Sequence, residues 1–203
     1  MVAARDALDS GRPAEALELL DRLADPQLDH RRLRAGALDR LGRLREALDE
    51  CESLMAASGA VGDDVLLLEV TVTAAGLAQR LGDRVQALNH VRLALELLVQ
   101  RGGSFAGMHR VYNNLGFALL SMGAIRLAAE QFRRALRAID EVDDPHNRVT
   151  IELNLASAES RLAASVDADD NERPARFQVA IDLVTPHFTS GSPRRRLEAA
   201  TLL

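Results

Sequence analysis

Apolar residues in the stretch 111–136 recur every three or four positions, in two blocks that Gly123 separates. This spacing is typical of two amphipathic helices, each with one apolar stripe. Small residues stand where the two helix axes must approach each other, at Gly116, Ala128 and Ala135. A single helical hairpin cannot bury both of its apolar stripes, so the pattern predicts neighbouring hairpins of the same kind.

Hinge residues like Gly123 return along the chain, mostly at intervals of roughly 40 residues. Its counterparts are Gly11, Gly42 and Gly82, and by spacing Ala163. A small residue also recurs five positions after and seven positions before a hinge. Those after it are Ala16, Ala47, Ala87 and Ala128, and those before it are Ala35, Ala75, Gly116 and Ala156. Agreement at both offsets predicts a repeat protein in which each hairpin stacks on the next.

One unit carries the pattern of a known repeat family. Its residues Tyr112, Leu115, Gly116, Leu119, Ala128, Phe132 and Ala135 follow the spacing W-x2-L-G-x2-Y…A-x3-F, with Tyr for Trp and Leu for Tyr. This unit resembles a tetratricopeptide (TPR) repeat, and the resemblance covers about residues 1–188. It implies an all-α fold, a TPR-like α-solenoid of about five antiparallel helical hairpins in a right-handed superhelix. Long-period arrays of this kind resemble those of large bacterial signalling and transcription regulators.

The predicted hairpins cover about residues 1–26, 30–57, 64–101, 108–141 and 147–186. The last hairpin is expected to carry an acidic insertion, roughly Val166 to Glu172, between its two helices. Residues 189–203 are predicted to form a linker and the start of a further helix, with Ser192 as its N-cap and Pro193 in its first turn. Solenoids end in polar capping repeats, so the apolar Leu203 favours a longer parent protein.

Composition narrows the function classes. The 203 residues are 47% apolar but only 3% aromatic, without Trp, so the core must consist mainly of Leu, Val and Ala. All 25 basic residues are Arg, which suggests a GC-rich bacterial genome. A net charge of −5 with interspersed signs argues against a nucleic-acid binder. No apolar run reaches the ~18 residues of a membrane span and no leader opens the chain, so a cytoplasmic protein is expected.

No residue pattern marks a catalytic, metal or cofactor site. The acidic side chains scatter over predicted solvent faces, and the sequence has no phosphate-binding or dinucleotide-binding loop. Cys51 lies on an apolar helix face, where a buried structural thiol is expected. The histidines lie far apart and are expected at surfaces or turns: His30, His90, His109, His146 and His187. The sequence therefore predicts a protein that is not an enzyme and holds no cofactor or metal.

Arginine recurs two residues before a hinge, as Arg40, Arg80 and Arg161, while the fourth such position is Ser121. The TPR resemblance implies that the first helix of each hairpin lines a concave groove, so these arginines would form a row along it. The same resemblance places in the groove Gln79, Arg110, Asn113, Phe117 and Ser157. Guanidinium groups with amides between them suit an extended acidic peptide or a free carboxylate. The alternative is that the arginines solvate the surface or pair with a neighbouring aspartate such as Asp39 or Asp83.

These patterns predict a protein- or peptide-binding scaffold or sensor module within a larger bacterial regulator. The expected partner is a protein segment with acidic side chains, without direct contact to nucleic acid or membrane. Two alternatives stay open. The chain could associate with a copy of itself through an exposed end, or it could be the regulatory domain of a signalling enzyme.

Overall fold

The computed structural model describes residues 2–101, 105, 107–142, 144–165 and 171–190 of the chain. Within these residues it contains ten α-helices and no strand. The helices are α1 (Val2–Asp9), α2 (Pro13–Asp21), α3 (Leu28–Arg40), α4 (Leu44–Val61), α5 (Asp64–Arg80), α6 (Arg84–Arg101), α7 (Met108–Ser121), α8 (Ile125–Ile139), α9 (Pro145–Ala164) and α10 (Arg173–Ser190). They belong to two compact units, the first with α1–α6 and the second with α7–α10.

The four predicted hinge glycines all adopt the left-handed backbone conformation. The φ angle is +72° at Gly11, +74° at Gly42, and +82° at both Gly82 and Gly123. At each hinge the glycine N–H bonds a carbonyl three residues back, and the next N–H bonds a carbonyl five residues back. This Schellman arrangement satisfies carbonyls that the helix end leaves unpaired. Glycine suits the position because it has no Cβ to clash at positive φ.

The fifth predicted hinge is wrong. Ala163 is fully buried inside α9, which runs on to Ala164 with Ser165 as its C-cap. Alanine carries a Cβ and favours the right-handed helix, so the chain continues helically where glycine would have turned it. Of the predicted insertion at 166–172, residues 166–170 lie outside the described part of the chain.

Two helices run further than the sequence pattern suggests. Helix α4 continues past residue 57 to Val61 and ends at Gly62, which has a φ angle of +72°. Helix α10 reaches Ser190, so residues 189 and 190 are helical rather than part of a linker. The further helix predicted within 191–203 lies outside the described residues.

In the first unit each helix packs against the next one along the chain. An apolar cluster of Leu54, Leu66 and Val70, with Leu28 and Met55 against it, joins α3, α4 and α5. The small residues at the two repeated offsets are buried at these crossings: Ala16, Ala35, Ala47, Ala75 and Ala87. Short side chains at these positions let neighbouring helix axes approach closely.

In the second unit α8 packs against both α7 and α9, and α10 packs against α9. One cluster contains Ala135, Ile139 and Ile151, with Tyr112 and Leu136 against it. Another cluster, between α9 and α10, contains Ala156, Ala180 and Val184. The core residues of this unit lie on one side of each helix. The other side of α7 and of α9 takes no part in these clusters.

Candidate functional site

Two of the arginines predicted to line a groove make contacts inside the first unit. Arg40 of α3 donates from Nη1 to the backbone carbonyl of Leu8 in α1. Arg80 of α5 pairs through Nη1 with Oδ1 of Asp39 in α3. The pair with Asp39 is the alternative that the sequence left open. Each arginine thus joins the first helix of its hairpin to that of the preceding one. Gln79 is partly exposed, and no described residue hydrogen-bonds its side chain.

Helices α7 and α9 of the second unit hold polar side chains next to each other. Nδ2 of Asn154 donates to Oδ1 of Asn113 at 2.9 Å, which joins a stripe of α9 to a stripe of α7. The other predicted residues of α7 lie three or four positions from Asn113, and those of α9 lie three or seven positions from Asn154. Each therefore shares one side of its helix with the asparagine. We call this surface the α7–α9 face; it comprises Arg110, Asn113, Phe117, Ser157 and Arg161.

Phe117 is the aromatic side chain of the α7–α9 face, and 46% of its surface is exposed. The core of the same unit takes Phe132 from α8, which is fully buried, and Leu115 and Leu119 from the opposite side of α7. Phe117 therefore adds little to the packing of its own unit. Its ring is available to a partner, and aromatic rings contribute large contact areas at protein interfaces.

Arg161 is exposed in the last turn of α9. It makes no ion pair or hydrogen bond with any of the described residues. Arg40 and Arg80, the other members of the predicted row, both have partners within the first unit. The N–H donors of the Arg161 guanidinium can therefore bind a carboxylate of another molecule.

Three histidines are buried, which corrects the expectation that they lie at surfaces or turns. Each faces a carboxylate of another helix, or of the N-cap of another helix. The distance from the histidine Nε2 to the carboxylate oxygen is 3.6 Å for His90 and Glu52, 3.9 Å for His109 and Asp144, and 2.9 Å for His187 and Glu152. The residues Ala180, Val184 and His187 follow helical spacing, and this signal could have indicated that His187 is buried. The histidines form part of the core rather than an exposed site.

Burial lowers the pKa of both His90 and His109. For His109 the positive charge of Arg110 lowers the pKa further. The carboxylates opposite the two rings act in the other direction and do not offset the burial. Among the described residues, the Nε2 atoms of both histidines also have no hydrogen-bond partner. Both imidazoles are therefore neutral at physiological pH.

Glu159 corrects the expectation that all acidic side chains lie on solvent faces, because it is only 1% exposed. Arg133 of α8 donates to its Oε1. Arg176 of α10 donates to its Oε2 at 3.0 Å, and also binds Glu172 at 2.7 Å. One carboxylate of α9 thus joins α8 and α10, and the two guanidinium groups compensate its buried charge.

Cys51 is 1% exposed, and burial raises the pKa of its thiol to about 12. This confirms the prediction of a buried structural thiol. Among the described residues, no three His, Cys, Asp or Glu side chains are grouped so that they could hold a metal ion. None of the described helices has both the length and the apolar character that crossing a membrane requires.

A cavity of about 390 Å³ lies at the corner between α8 and α9. Its lining residues are Asp140, Glu141, Val142, Asp144, Pro145 and Arg148. Three of them are already engaged: Arg148 pairs with Asp140, and Asp144 accepts the N–H of Asn147 at 3.1 Å as the N-cap of α9. This corner therefore serves mainly to start α9.

Comparison with solved structures identifies the fold. Kinesin light chain TPR-like repeats from Podosopora anserina superpose with a TM-score of 0.60 and 16% identity, over 94% of this chain and 94% of that one. The fold is TPR-like. This confirms the predicted all-α TPR-like fold.

Two further solved structures have the same TPR-like fold. BtubC (BKLC) from P. vanneervenii has a TM-score of 0.57 and 22% identity, over 98% of this chain and 74% of that one. MamA from Desulfovibrio magneticus RS-1 has a TM-score of 0.58 and 14% identity, over 94% of each chain. At these identities the likeness concerns the fold alone. No family model matches the sequence, and no curated protein is significantly similar to it.

Proposed function

We propose that this chain is a protein-interaction module and that its α7–α9 face binds an extended segment of another protein. The observation that supports this is the exposed ring of Phe117 beside polar side chains on two helices that the bond between Asn113 and Asn154 joins. A buried aromatic anchor commonly supplies much of the binding energy at a protein interface. Amide and hydroxyl groups beside it can bond the backbone of an extended peptide.

The proposed ligand is acidic because the face ends in arginines. Arg110 lies in the first turn of α7, and Arg161 lies in the last turn of α9. Arg161 has no carboxylate partner among the described residues, so binding an acidic side chain would break no internal ion pair there. A guanidinium can bind a carboxylate through two parallel hydrogen bonds, which gives both affinity and orientation.

The first unit contributes differently in this proposal. Arg40 and Arg80 hold successive first helices together, and Gln79 is the predicted groove residue there whose side chain is left for a ligand. The wider role, as the sensor or scaffold part of a larger bacterial regulator, is proposed from the resemblance of the sequence to long-period arrays. Binding rather than catalysis is proposed, since the α7–α9 face combines no nucleophile with a general base.

A phage-displayed library of random dodecapeptides tests this function. The wild-type chain is expected to enrich peptides that combine an acidic residue with an apolar one. The affinity of an enriched synthetic peptide should fall about tenfold in Arg161→Ala, since one charge-assisted hydrogen-bond pair is lost. A fall of similar size is expected in Phe117→Ala, which removes the apolar anchor.

Arg137→Ala is the matched control. Arg137 is also an exposed arginine in the last turn of a helix of the second unit, and it too has no partner among the described residues. The control should bind the peptide like the wild type. Equal binding by wild type, Phe117→Ala and Arg161→Ala would exclude the α7–α9 face as the binding surface. Circular dichroism would verify that every variant is folded.

A further inference from the structure

Helices α7 and α9 run parallel to each other, because each is antiparallel to α8. Near the start of α9, Ile151 lies in one cluster with Ile139 from the end of α8. Towards the end of α9, Glu159 is bound by Arg133, which comes earlier in α8. Tyr112, near the start of α7, packs on the same cluster as Ile139. The starts of α7 and α9 therefore lie at the same end of the second unit.

The hydrogen bond between Asn113 and Asn154 aligns these two parallel helices. It places the two asparagines at the same level along the axes, on the sides where the helices face each other. At 100° per residue, Arg110 and Phe117 lie about 60° and 40° around α7 from Asn113. Arg161 lies about 20° around α9 from Asn154, in the opposite sense. Opposite rotations from the facing sides of two parallel helices lead to one outer surface, so the α7–α9 face is continuous across both helices.

The positions of the two arginines on this face follow from helix geometry. At 1.5 Å per residue, Arg110 lies about 4.5 Å before the level of the asparagines and Arg161 about 10.5 Å after it. With about 9 Å between the helix axes, the two arginines are about 17 Å apart. The straight line that joins them crosses the face between Asn113 and Ser157. Phe117 lies beside the midpoint of this line, about 5 Å from it.

This separation selects the spacing of residues in an extended ligand. A segment rises about 3.1 Å per residue as polyproline II and about 3.3 Å as a strand, so about 17 Å corresponds to five or six steps. Side chains return to the same side every three residues in polyproline II and every two residues in a strand. Six steps satisfy both periods, whereas five steps satisfy neither. Two ligand side chains that reach both arginines are therefore six positions apart.

Both ends of the line favour a carboxylate. Arg110 and Arg161 are exposed and positively charged. The end at Arg110 is also the start of α7, where Gly107 is the N-cap and offers no side-chain acceptor. The positive end of the helix dipole therefore adds to the charge of Arg110. The middle of the line is different, because the exposed ring of Phe117 favours an apolar group there.

We propose that the α7–α9 face is selective for an extended segment with two acidic residues six positions apart and an apolar residue midway between them. One carboxylate binds Arg110 at the start of α7, and the other binds Arg161. The apolar side chain packs on Phe117. This inference rests on the peptide-binding function proposed above, to which it adds the order and the spacing of the ligand residues.

Three synthetic peptides of equal length and composition test the spacing. Each carries a fluorescent label, two aspartates, a leucine three positions after the first aspartate, and spacers of serine and proline. The second aspartate stands four, six or nine positions after the first. In fluorescence polarisation the peptide with spacing six should bind at least about tenfold more tightly than the other two. Equal binding of all three would overturn the spacing but leave the peptide-binding function, whereas binding of none would contradict both.

Double-mutant cycles test which arginine binds which aspartate. Arg110→Ala and Arg161→Ala are each combined with the replacement of either aspartate of the spacing-six peptide by asparagine. Each arginine variant should weaken the peptide about tenfold, and should have no further effect once its own aspartate is replaced. The two arginines should couple to opposite ends of the peptide, and Arg137→Ala should couple to neither. Coupling of both arginines to the same aspartate, or of neither arginine to any, would overturn the proposal. Circular dichroism would verify that each variant is folded.

Discussion

Gly116 of α7 leaves the space that the ring of Phe132 of α8 occupies. A Cβ at position 116 would lie 2.6 Å from Cε1 and 2.7 Å from Cδ1 of that ring. Phe132 is fully buried, so the ring has little room to move away. The Leu-Gly pair of the TPR pattern therefore has a direct steric role here. It lets the aromatic side chain of the second helix reach the backbone of the first.

Gly116→Ala should destabilise the protein by up to about 2 kcal/mol. The clash with Phe132 costs about 1–3 kcal/mol, as overpacking in a core does, and the better helix propensity of alanine returns about 1 kcal/mol. Urea denaturation followed by circular dichroism measures the difference. Gly76→Ala in α5 is the control, because a Cβ there has no atom within 4 Å. That variant should gain up to about 1 kcal/mol; a gain in both variants would contradict the steric account.

Glu159→Ala should destabilise the second unit by about 1–3 kcal/mol. The estimate is below the usual loss for a broken buried pair, because the side chains of Arg133 and Arg176 are 45% and 21% exposed and can be hydrated. The free energy of unfolding in urea checks this value. The control is Glu130→Ala, whose exposed pair with Arg134 should contribute less than about 0.5 kcal/mol. Equal losses in both variants would mean that Glu159 acts no differently from a surface carboxylate.

Mild acid should destabilise the fold through His90 and His109. Their pKa values are lowered in the folded chain, so the unfolded chain binds protons more readily. Stability is therefore full above the unfolded pKa of about 6.5 and is lost as the pH falls through the folded values. Thermal unfolding between about pH 7.5 and pH 5.5 should show a falling midpoint.

Replacing both histidines by glutamine should flatten that pH dependence. Glutamine keeps a polar side chain of similar length but does not titrate in this range. His30→Gln is the control, because the ring of His30 is partly exposed and its hydrogen bond within the described residues is the one it accepts from the backbone N–H of Gln27. A double variant with the same slope as the wild type would assign the acid sensitivity to other groups.

Cys51 should resist alkylation in the folded protein. The thiolate is the reactive form, and burial raises the pKa of this thiol to about 12. Iodoacetamide at neutral pH should therefore modify it only after urea unfolds the first unit, which mass spectrometry would detect. Rapid modification of the native chain would contradict the burial of Cys51.

The proposed binding surface could be predicted in part. Helical spacing and the TPR register brought Phe117, Asn113 and Ser157 to one side of α7 and α9, because residues on one side of a helix recur at fixed intervals. The partners of the arginine side chains could not be predicted in the same way. Arginine has a long flexible side chain, and its partner is whichever carboxylate or carbonyl a neighbouring helix offers.

Local sequence by itself determined the hairpins. A glycine after a helical run allows positive φ, so Gly11, Gly42, Gly82 and Gly123 each end a helix in the same way. The small residues at two offsets likewise mark the crossings, because a buried crossing accepts only a short side chain.

Only the tertiary structure decided which polar groups meet. Arg80 pairs with Asp39 and Asn154 donates a hydrogen bond to Asn113, each across 41 positions of sequence. Glu159 was drawn into the interior between two arginines from other helices. Such pairs depend on which helices become neighbours and on how far one helix is shifted along its axis relative to the other. Backbone conformation, by contrast, is set within one turn of the chain. The hinges could therefore be predicted from the sequence, whereas of these pairs only Arg80 with Asp39 was among the alternatives that the sequence left open.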